Sequence, residues 1–198
     1  ERSLPILDIL TSVTRKMTEG ELLQLTLLGH ADISEGQYLD VLKRKTAYLF
    51  SASCEIGSIL GGASEKQQTA LRDYGLNLGT AFQLIDDLLD FTSSDAVLGK
   101  ASGADLLGGK VTLPLIYLMT ADSDALAMVQ RVLLEGSYET VTQKHLRAAL
   151  DRTGALERAC DMADQYAENA RSALDDLPDS EYTDSLRALP TYVLKRDR

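Results

Sequence analysis

Three aspartates lie close together in a stretch that is otherwise apolar: Asp86, Asp87 and Asp90. On a helix, Asp86 and Asp90 are one turn apart on the same face. Like charges at that spacing destabilise a helix, so the arrangement needs a cationic partner. Carboxylate oxygens are ligands that Mg²⁺ prefers. The cluster therefore predicts a site where Mg²⁺ binds together with an anionic ligand.

Two interpretations of this helix are open. Gly75, Gly79 and Gln83 precede the acids on the same helical face. Such a row of small residues could line an open channel for a ligand that ends at the metal. Alternatively, the glycines allow close helix packing and the acids form a solvated helix end. Large apolar neighbours favour a mostly buried helix: Phe82, Ile85, Leu88 and Leu89.

Two lysines follow the aspartates in a glycine-rich stretch, residues 92–110, which predicts an active-site loop. Lys100 comes directly after Gly99, and Lys110 directly after Gly109. Glycine loops with ammonium groups can close over phosphates, with lysine acting as a point charge. The alternative is a pair of solvated turns, because neither lysine belongs to a Walker sequence.

Two further polar groups lie on predicted helices upstream. Lys45 and Thr46 stand between apolar residues, where a lysine often extends to the surface. If Lys45 faces the aspartates instead, it adds positive charge for an anionic substrate beside the metal. The first helix contains the patch Glu19-Gly-Glu21-x-x-Gln24. Hydrogen bonding or surface exposure is the favoured interpretation of that patch, and catalysis the lesser one.

The elements that must position these residues are helices throughout. Helical periodicity covers Leu4 to Leu28, and capping-box patterns at Ser34 and Ser64 open two more helices. The Ser34 helix is expected to run to about Leu60. Thr112 is the expected N-cap of the first of five later helices, 113–120, 123–134, 141–151, 156–174 and 182–195. No alternating strand pattern occurs, so residues 1–198 are predicted to form one all-α antiparallel bundle.

Composition excludes several classes of protein. A net charge of −10 argues against nucleic-acid binding, which needs a basic surface. No apolar run approaches the roughly 20 residues of a membrane span, so no transmembrane segment is expected. Cys54 and Cys160 are isolated from each other, which favours a reducing compartment, the cytoplasm by default. The two histidines, His30 and His145, form no zinc-protease or di-iron motif.

In combination, the order and spacing of these motifs resemble the trans-type polyprenyl diphosphate synthases. The similarity extends over essentially the whole chain and is strongest to the long-chain branch, which includes the octaprenyl diphosphate synthases. The segments involved are Glu19-Gly-Glu21-x-x-Gln24, Lys45-Thr46-Ala47, Gly79-Thr-Ala-Phe-Gln83-Leu-Ile-Asp86-Asp87-Leu-Leu-Asp90, Leu98-Gly-Lys100, Gly103-x-Asp105-Leu106 and Gly109-Lys110-x-Thr112-Leu-Pro114.

The resemblance implies a fold, a reaction and roles for residues. The fold is an isoprenoid-synthase-type antiparallel helix bundle around a central cavity. Asp86, Asp87 and Asp90 match the family's second aspartate-rich motif, which holds Mg²⁺ on a substrate diphosphate. Five positions match those that bind the allylic diphosphate: Lys45, Thr46, Gln83, Lys100 and Lys110.

The implied reaction is head-to-tail condensation of isopentenyl diphosphate with an allylic diphosphate such as farnesyl diphosphate. The product is a long-chain polyprenyl diphosphate, used for quinone side chains. The resemblance also implies a homodimer. All of these statements are expectations drawn from the family.

One departure from the family affects the expected activity. Members carry an upstream aspartate-rich motif and a basic pocket for isopentenyl diphosphate, and neither occurs in these residues. The chain is therefore expected to be the C-terminal portion of a synthase, incomplete for activity alone. Two alternatives stay open: a non-catalytic or truncated subunit of a heteromeric synthase, and a class I terpene cyclase.

Overall fold

The computed structural model describes residues 3–92 and 103–196, and every regular element in those two stretches is helical. The prediction of an all-α chain is confirmed. The elements are α1 (Leu4–Leu27), α2 (Glu35–Leu42), a π-helix (Lys43–Ala47), α3 (Tyr48–Leu60), α4 (Glu65–Thr92), α5 (Ala104–Leu107), α6 (Leu113–Ala121), α7 (Ala125–Glu135), α8 (Gln143–Thr153), α9 (Ala155–Ser172) and α10 (Glu181–Leu194).

Both predicted capping boxes form. The Ser34 hydroxyl accepts the Gln37 N–H at 3.3 Å, and the Gln37 side chain accepts the Ser34 N–H at 2.9 Å. Ser64 and Gln67 repeat the exchange at 3.4 and 2.9 Å. Each box satisfies two N–H groups that would otherwise lack a partner at the start of a helix. These local bonds set the first residues of α2 and α4.

The structure differs from the sequence-based expectation at three places. The helix expected from Ser34 to about Leu60 is continuous, but residues 43–47 form a π-helix within it. The predicted loop contains the short helix α5, while Gly99 and Lys100 lie outside the described residues. Thr112 does precede α6, yet its side chain makes no capping hydrogen bond.

Helix α4 lies at the centre of the bundle, between α3 and α9. A Cβ atom at Gly75 would lie 2.6 Å from the Phe50 carbonyl oxygen, and one at Gly79 would lie 2.8 Å from the Ala47 Cα. These glycines therefore allow the backbone of α3 and the π-helix to approach α4 closely. The interpretation of Gly75 and Gly79 as the wall of an open channel is wrong, because other helices fill that space.

The core fixes the last third of α4, as the apolar residues there predict. Leu84, Ile85, Leu88 and Leu89 are buried and join a cluster that includes residues of α6, α7, α8 and α9. Helix α9 packs on α4 through small residues: Ala159, Ala163, Ala167 and Ala170. Within 3–92 and 103–196, no helix has both the length and the apolar character needed to cross a membrane.

Candidate functional site

A cavity of about 740 Å³ opens where the end of α1, the α2–π-helix segment, α4 and residues 104–112 meet. Its lining contains both polar and apolar side chains. The structure brings seven of the eight predicted site residues to its wall: Lys45, Thr46, Gln83, Asp86, Asp87, Asp90 and Lys110. The eighth, Lys100, lies outside the described residues. Apolar side chains complete the wall: Leu27, Leu28, Ile33, Val41, Leu42 and Val111.

Lys45 faces the cavity and is held there by the polar patch of α1. Its ammonium donates to the Gln24 side-chain oxygen at 2.7 Å and lies 3.3 Å from a Glu21 carboxylate oxygen. A Cβ at Gly20 would lie 2.7 Å from the Arg44 Cβ and 3.0 Å from the Lys45 nitrogen. Gly20 thus allows α1 to approach the π-helix. The patch has the hydrogen-bonding role favoured by its sequence: Glu21 and Gln24 pair with Lys45, and Glu19 pairs with Arg44 at 2.7 Å.

A row of hydrogen bonds joins the π-helix, α4 and α2 along the cavity. The Thr46 hydroxyl donates to the Gln83 side-chain oxygen at 2.9 Å. The Gln83 amide nitrogen donates to one Asp87 carboxylate oxygen at 2.9 Å, and the Tyr38 hydroxyl donates to the other at 2.6 Å. Both oxygens of Asp87 therefore accept hydrogen bonds from within the protein.

Burial governs the ionisation of Asp87 and Tyr38. It raises the pKa of Asp87 to about 7, although the hydrogen bonds from Tyr38 and Gln83 lower it. Burial, together with the negative charge of Asp87, raises the pKa of Tyr38 well above its ordinary value. Tyr38 consequently stays a neutral phenol and a hydrogen-bond donor.

Asp90 anchors the start of α5. Its two carboxylate oxygens accept the N–H groups of Ala104 at 3.1 Å and of Asp105 at 3.3 Å. Its backbone oxygen accepts the Gly103 N–H at 2.7 Å. Burial and the negative charge of Asp105 raise the pKa of Asp90, and the two N–H groups oppose that rise.

Residues 103–110 are also held by Tyr138 and by Gly29. The Tyr138 hydroxyl donates to the Gly103 oxygen at 2.8 Å, and Gly103 has a φ of 76°. A Cβ there would lie 2.3 Å from the Tyr138 hydroxyl oxygen, so only glycine fits. At the other end, the Gly109 oxygen accepts the Gly29 N–H at 2.8 Å. Lys110 is thereby fixed relative to both α1 and α4.

The ammonium of Lys110 has a carboxylate partner. It donates to an Asp105 carboxylate oxygen at 2.8 Å. This hydrogen bond raises the pKa of Lys110, because it favours the charged form over the neutral amine. Lys110 therefore presents a permanent positive charge at the cavity wall.

Asp86 has the most open surroundings of the three aspartates. Its side chain is 47% exposed, whereas the Asp87 residue is 8% exposed. A guanidinium nitrogen of Arg196 lies 3.3 Å from an Asp86 oxygen, and that guanidinium lies 4.7 Å from the centre of the Phe82 ring. An exposed ion pair of this kind is weak and exchangeable.

The donor set suits a metal that arrives with an anionic ligand. Within 3–92 and 103–196, no three acidic, histidine or cysteine side chains converge into a ready-made metal site. Mg²⁺ needs no such cage, since it is usually bound by one or two carboxylates, waters and substrate phosphates. The buried hydroxyl oxygen of Thr112, at the same cavity, has no hydrogen-bond partner in the described part of the chain. Asp86 and Asp90 therefore fit a metal–phosphate ligand.

The sequence alone assigned no role to Tyr38, Asp105 or Tyr138, although Asp105 lies in one of the segments behind the family resemblance. Tyr38 is seven residues before Lys45, a spacing that puts two residues on one side of a helix, and this was a usable signal. Asp105 stands beside the predicted loop lysine and also had a local signal. Tyr138 had none, because it contacts Gly103 across 35 residues of sequence.

Comparisons with known proteins point in one direction. A sequence model described as polyprenyl synthetase matches residues 1–152. The octaprenyl diphosphate synthase of Escherichia coli is 37% identical over 196 residues, which is 99% of this chain and 61% of that protein. Heptaprenyl diphosphate synthase component 2 of Geobacillus stearothermophilus is 36% identical over 190 residues, covering 96% and 58%.

Solved structures agree with the sequence comparisons. A decaprenyl diphosphate synthase from Rhodobacter capsulatus superposes with a TM-score of 0.90 at 39% identity, covering 99% of this chain and 61% of that one. A polyprenyl synthase from Caulobacter crescentus, complexed with calcium and isoprenyl diphosphate, has a TM-score of 0.90 at 35% identity, covering 99% and 60%. This chain thus spans about three fifths of the length of these proteins, and the expected bundle fold is confirmed.

Proposed function

Because the chain belongs to the polyprenyl synthetase family, we propose that it acts in the elongation of an allylic diphosphate, such as farnesyl diphosphate, by isopentenyl diphosphate. The product is a long-chain polyprenyl diphosphate, and the reaction depends on Mg²⁺. One observation supports this proposal most strongly. Four carboxylates and two lysines line the same cavity, together with apolar side chains.

The mixed lining of the cavity suits such a substrate. Its charged side chains offer point charges for a diphosphate, and its apolar side chains, among them Leu27, Ile33 and Leu42, can contact a hydrocarbon chain. The relative from Caulobacter crescentus was solved with an isoprenyl diphosphate, a ligand of this chemistry. A substrate with one charged end and one apolar end therefore fits the lining.

We assign the metal to Asp86 and Asp90, which lie one turn apart on α4 and both line the cavity. The family resemblance also predicts Asp87 as a third ligand, a role that is considered separately below. When bound, Mg²⁺ withdraws negative charge from the diphosphate oxygens and so eases loss of the diphosphate. Lys45 and Lys110 add two fixed positive charges for the departing anion. Lys100 is predicted to assist them.

The protein's own residues also control where the charges lie. Glu21 and Gln24 hold Lys45 at the wall, and Asp105 does the same for Lys110. Each lysine is thus in place before the substrate binds, which lowers the entropic cost of binding. The apolar wall excludes water from the reacting carbon and disfavours hydrolysis. A homodimer is proposed from the family, and a cytoplasmic location from the two isolated cysteines.

The test is chain growth by the full-length protein. Purified protein is incubated with farnesyl diphosphate, labelled isopentenyl diphosphate and Mg²⁺, and the products are separated by length. We expect polyprenyl products longer than farnesyl that disappear when EDTA removes the metal. If the full-length protein adds no isoprene unit under these conditions, the proposal is wrong.

A second candidate function is that of one component of a two-component synthase. It is favoured by the similarity to a heptaprenyl diphosphate synthase component 2. In that case the purified protein binds allylic diphosphate but elongates it only after addition of a cell extract from the same organism. Elongation by the purified protein alone excludes this candidate.

A further inference from the structure

The hydrogen bond between Tyr38 and Asp87 connects α2 directly to α4, the helix that carries the three aspartates. We propose that Tyr38 is a positioning residue of the diphosphate site, acting through Asp87, and that Asp87 anchors Gln83 and Thr46 rather than binding the metal. This inference rests on the proposed function, because it assigns roles within the same cavity. Tyr38 itself belongs to none of the motifs on which the family resemblance was based.

Two hydrogen bonds and burial hold Asp87 in place. Each of its carboxylate oxygens accepts one hydrogen bond, from Tyr38 at 2.6 Å and from Gln83 at 2.9 Å. The residue is only 8% exposed, so these two donors replace most of its contact with water. A buried carboxylate is tolerated only with such partners. Asp86, one residue earlier, is exposed and thus better placed for a metal.

Asp87 in turn sets the orientation of the Gln83 side chain. A side-chain amide has two orientations, related by a flip about its last bond. An ionised Asp87 carboxylate can accept hydrogen bonds but cannot donate them. It therefore pairs with the NH₂ group of Gln83. The amide oxygen is then directed to the Thr46 hydroxyl, which donates to it at 2.9 Å. Tyr38 therefore helps to determine which Gln83 atoms face a ligand.

The residues of this hydrogen-bonded row lie on three separate elements. Tyr38 lies on α2, Thr46 in the π-helix, and Gln83 and Asp87 on α4. All four line the cavity. Loss of the Tyr38 hydroxyl leaves one Asp87 oxygen buried without its donor, and the carboxylate is expected to turn toward solvent in the cavity. Gln83 then loses its fixed acceptor.

The test compares two buried tyrosines in the full-length protein. Tyr38→Phe removes the hydroxyl at the site, and Tyr74→Phe removes one that donates at 2.8 Å to the Leu186 backbone oxygen, away from the cavity. Binding of inorganic pyrophosphate at saturating Mg²⁺ is measured by calorimetry. We expect about tenfold weaker binding for Tyr38→Phe. Tyr74→Phe should bind like the wild type, while both variants lower Tm.

A double-mutant cycle with Asp87→Asn tests the path of the effect. If Tyr38 acts through Asp87, the double variant binds pyrophosphate no more weakly than Asp87→Asn alone. Additive losses would show that Tyr38 acts independently of Asp87 and would overturn the proposal. Loss of binding in Asp87→Asn with wild-type binding in Tyr38→Phe would also overturn it, since Asp87 would then be a direct ligand.

These binding measurements test the role of Tyr38 separately from the proposed elongation activity. Pyrophosphate binding is measured without any isoprenoid, so a protein that fails to elongate farnesyl diphosphate still tests the role of Tyr38. If the wild-type protein binds no pyrophosphate with Mg²⁺, the diphosphate site is refuted and the Tyr38 proposal with it. A crystal structure of Tyr38→Phe with an unchanged Asp87 and Gln83 would likewise contradict the positioning role.

Discussion

At the scale of residues, the three aspartates of α4 have three different surroundings. Asp86 is exposed and pairs with Arg196, Asp87 is buried between Tyr38 and Gln83, and Asp90 accepts the N–H groups that begin α5. Identical side chains within five positions are thus not interchangeable. Substitutions at Asp86 and Asp90 are expected to affect different properties.

Asp86→Ala is expected to lower turnover by about a hundredfold or more, because it removes the most accessible carboxylate proposed for the metal. Helix content should stay unchanged, since Asp86 is exposed and is not among the buried residues that form the core around α4. Turnover is measured with full-length protein, and helix content by circular dichroism. The control is Asp164→Ala, which removes an exposed aspartate on α9. Unchanged Mg²⁺-dependent turnover in Asp86→Ala would contradict the site assignment.

Thr112→Val is expected to stabilise the ligand-free protein by about 0.5–1 kcal/mol. The Thr112 hydroxyl is buried without a partner in the described residues, and valine has the same shape without the polar atom. The matched control is Thr183→Val, because the buried Thr183 hydroxyl donates to the Pro178 oxygen at 2.8 Å. That variant should be destabilised. Equal losses of stability on thermal unfolding would refute the prediction for Thr112.

At the scale of elements, α4 is specified by its own sequence and by its neighbours. Its start follows from the Ser64 capping box, and its apolar positions predict its burial. The same glycines that a sequence cannot assign to a channel or a contact are, in three dimensions, contact points for α3 and the π-helix. Packing therefore decides between interpretations that local sequence leaves open.

Gly75→Ala is expected to destabilise the protein by about 1–3 kcal/mol, because the new Cβ meets backbone atoms of Phe50 and Ser51 at 2.6–2.9 Å. Gly57→Ala is the control. Gly57 lies inside α3 with nothing within 4 Å of an added Cβ, so alanine should stabilise by about 0.4–1 kcal/mol. Urea unfolding measures both. A neutral Gly75→Ala would mean that α3 can move away from α4 at no cost.

At the scale of the whole molecule, the cavity depends on segments that are remote in sequence. The end of α1 bonds to Gly109, Tyr138 bonds to Gly103, and Tyr38 bonds to Asp87, 49 residues later. A common core behind the cavity holds these segments together. Stability of that core and geometry of the site are therefore coupled.

Leu118→Ala is expected to lower the free energy of unfolding by about 2–5 kcal/mol, because this α6 residue is fully buried and leaves a void. Leu134→Ala at the end of α7 removes a side chain from a residue that is 81% exposed, and should change stability by less than about 0.5 kcal/mol. Chemical denaturation measures the difference. Similar effects of the two substitutions would contradict the burial described for α6.

The sequence predicts helices, caps and most lining residues of the cavity, because these follow from periodicity and short motifs. Helix ends agree within two or three residues, and Lys45, Gln83 and Asp86 do share one wall. The contacts of Tyr138 and the bond from Tyr38 to Asp87 are not predictable in this way. They arise where separate helices meet, and no local pattern specifies which residues of two helices will touch.

The π-helix at residues 43–47 limits the insertions and deletions that this part of the chain can tolerate. Successive residues of an α-helix are rotated by about 100°, so the wider turn shifts the rotational phase between α2 and α3. Tyr38 can thereby face the cavity while α3 packs against α4. Deleting one residue of the π-helix, such as Lys43, is expected to restore a regular helix and to turn Tyr38 away from Asp87. The variant should then lose pyrophosphate binding, measured by calorimetry, while circular dichroism shows full helix content. The site thus depends on the number of residues in this helix, and an indel that spares every ligand-binding side chain would still dismantle it.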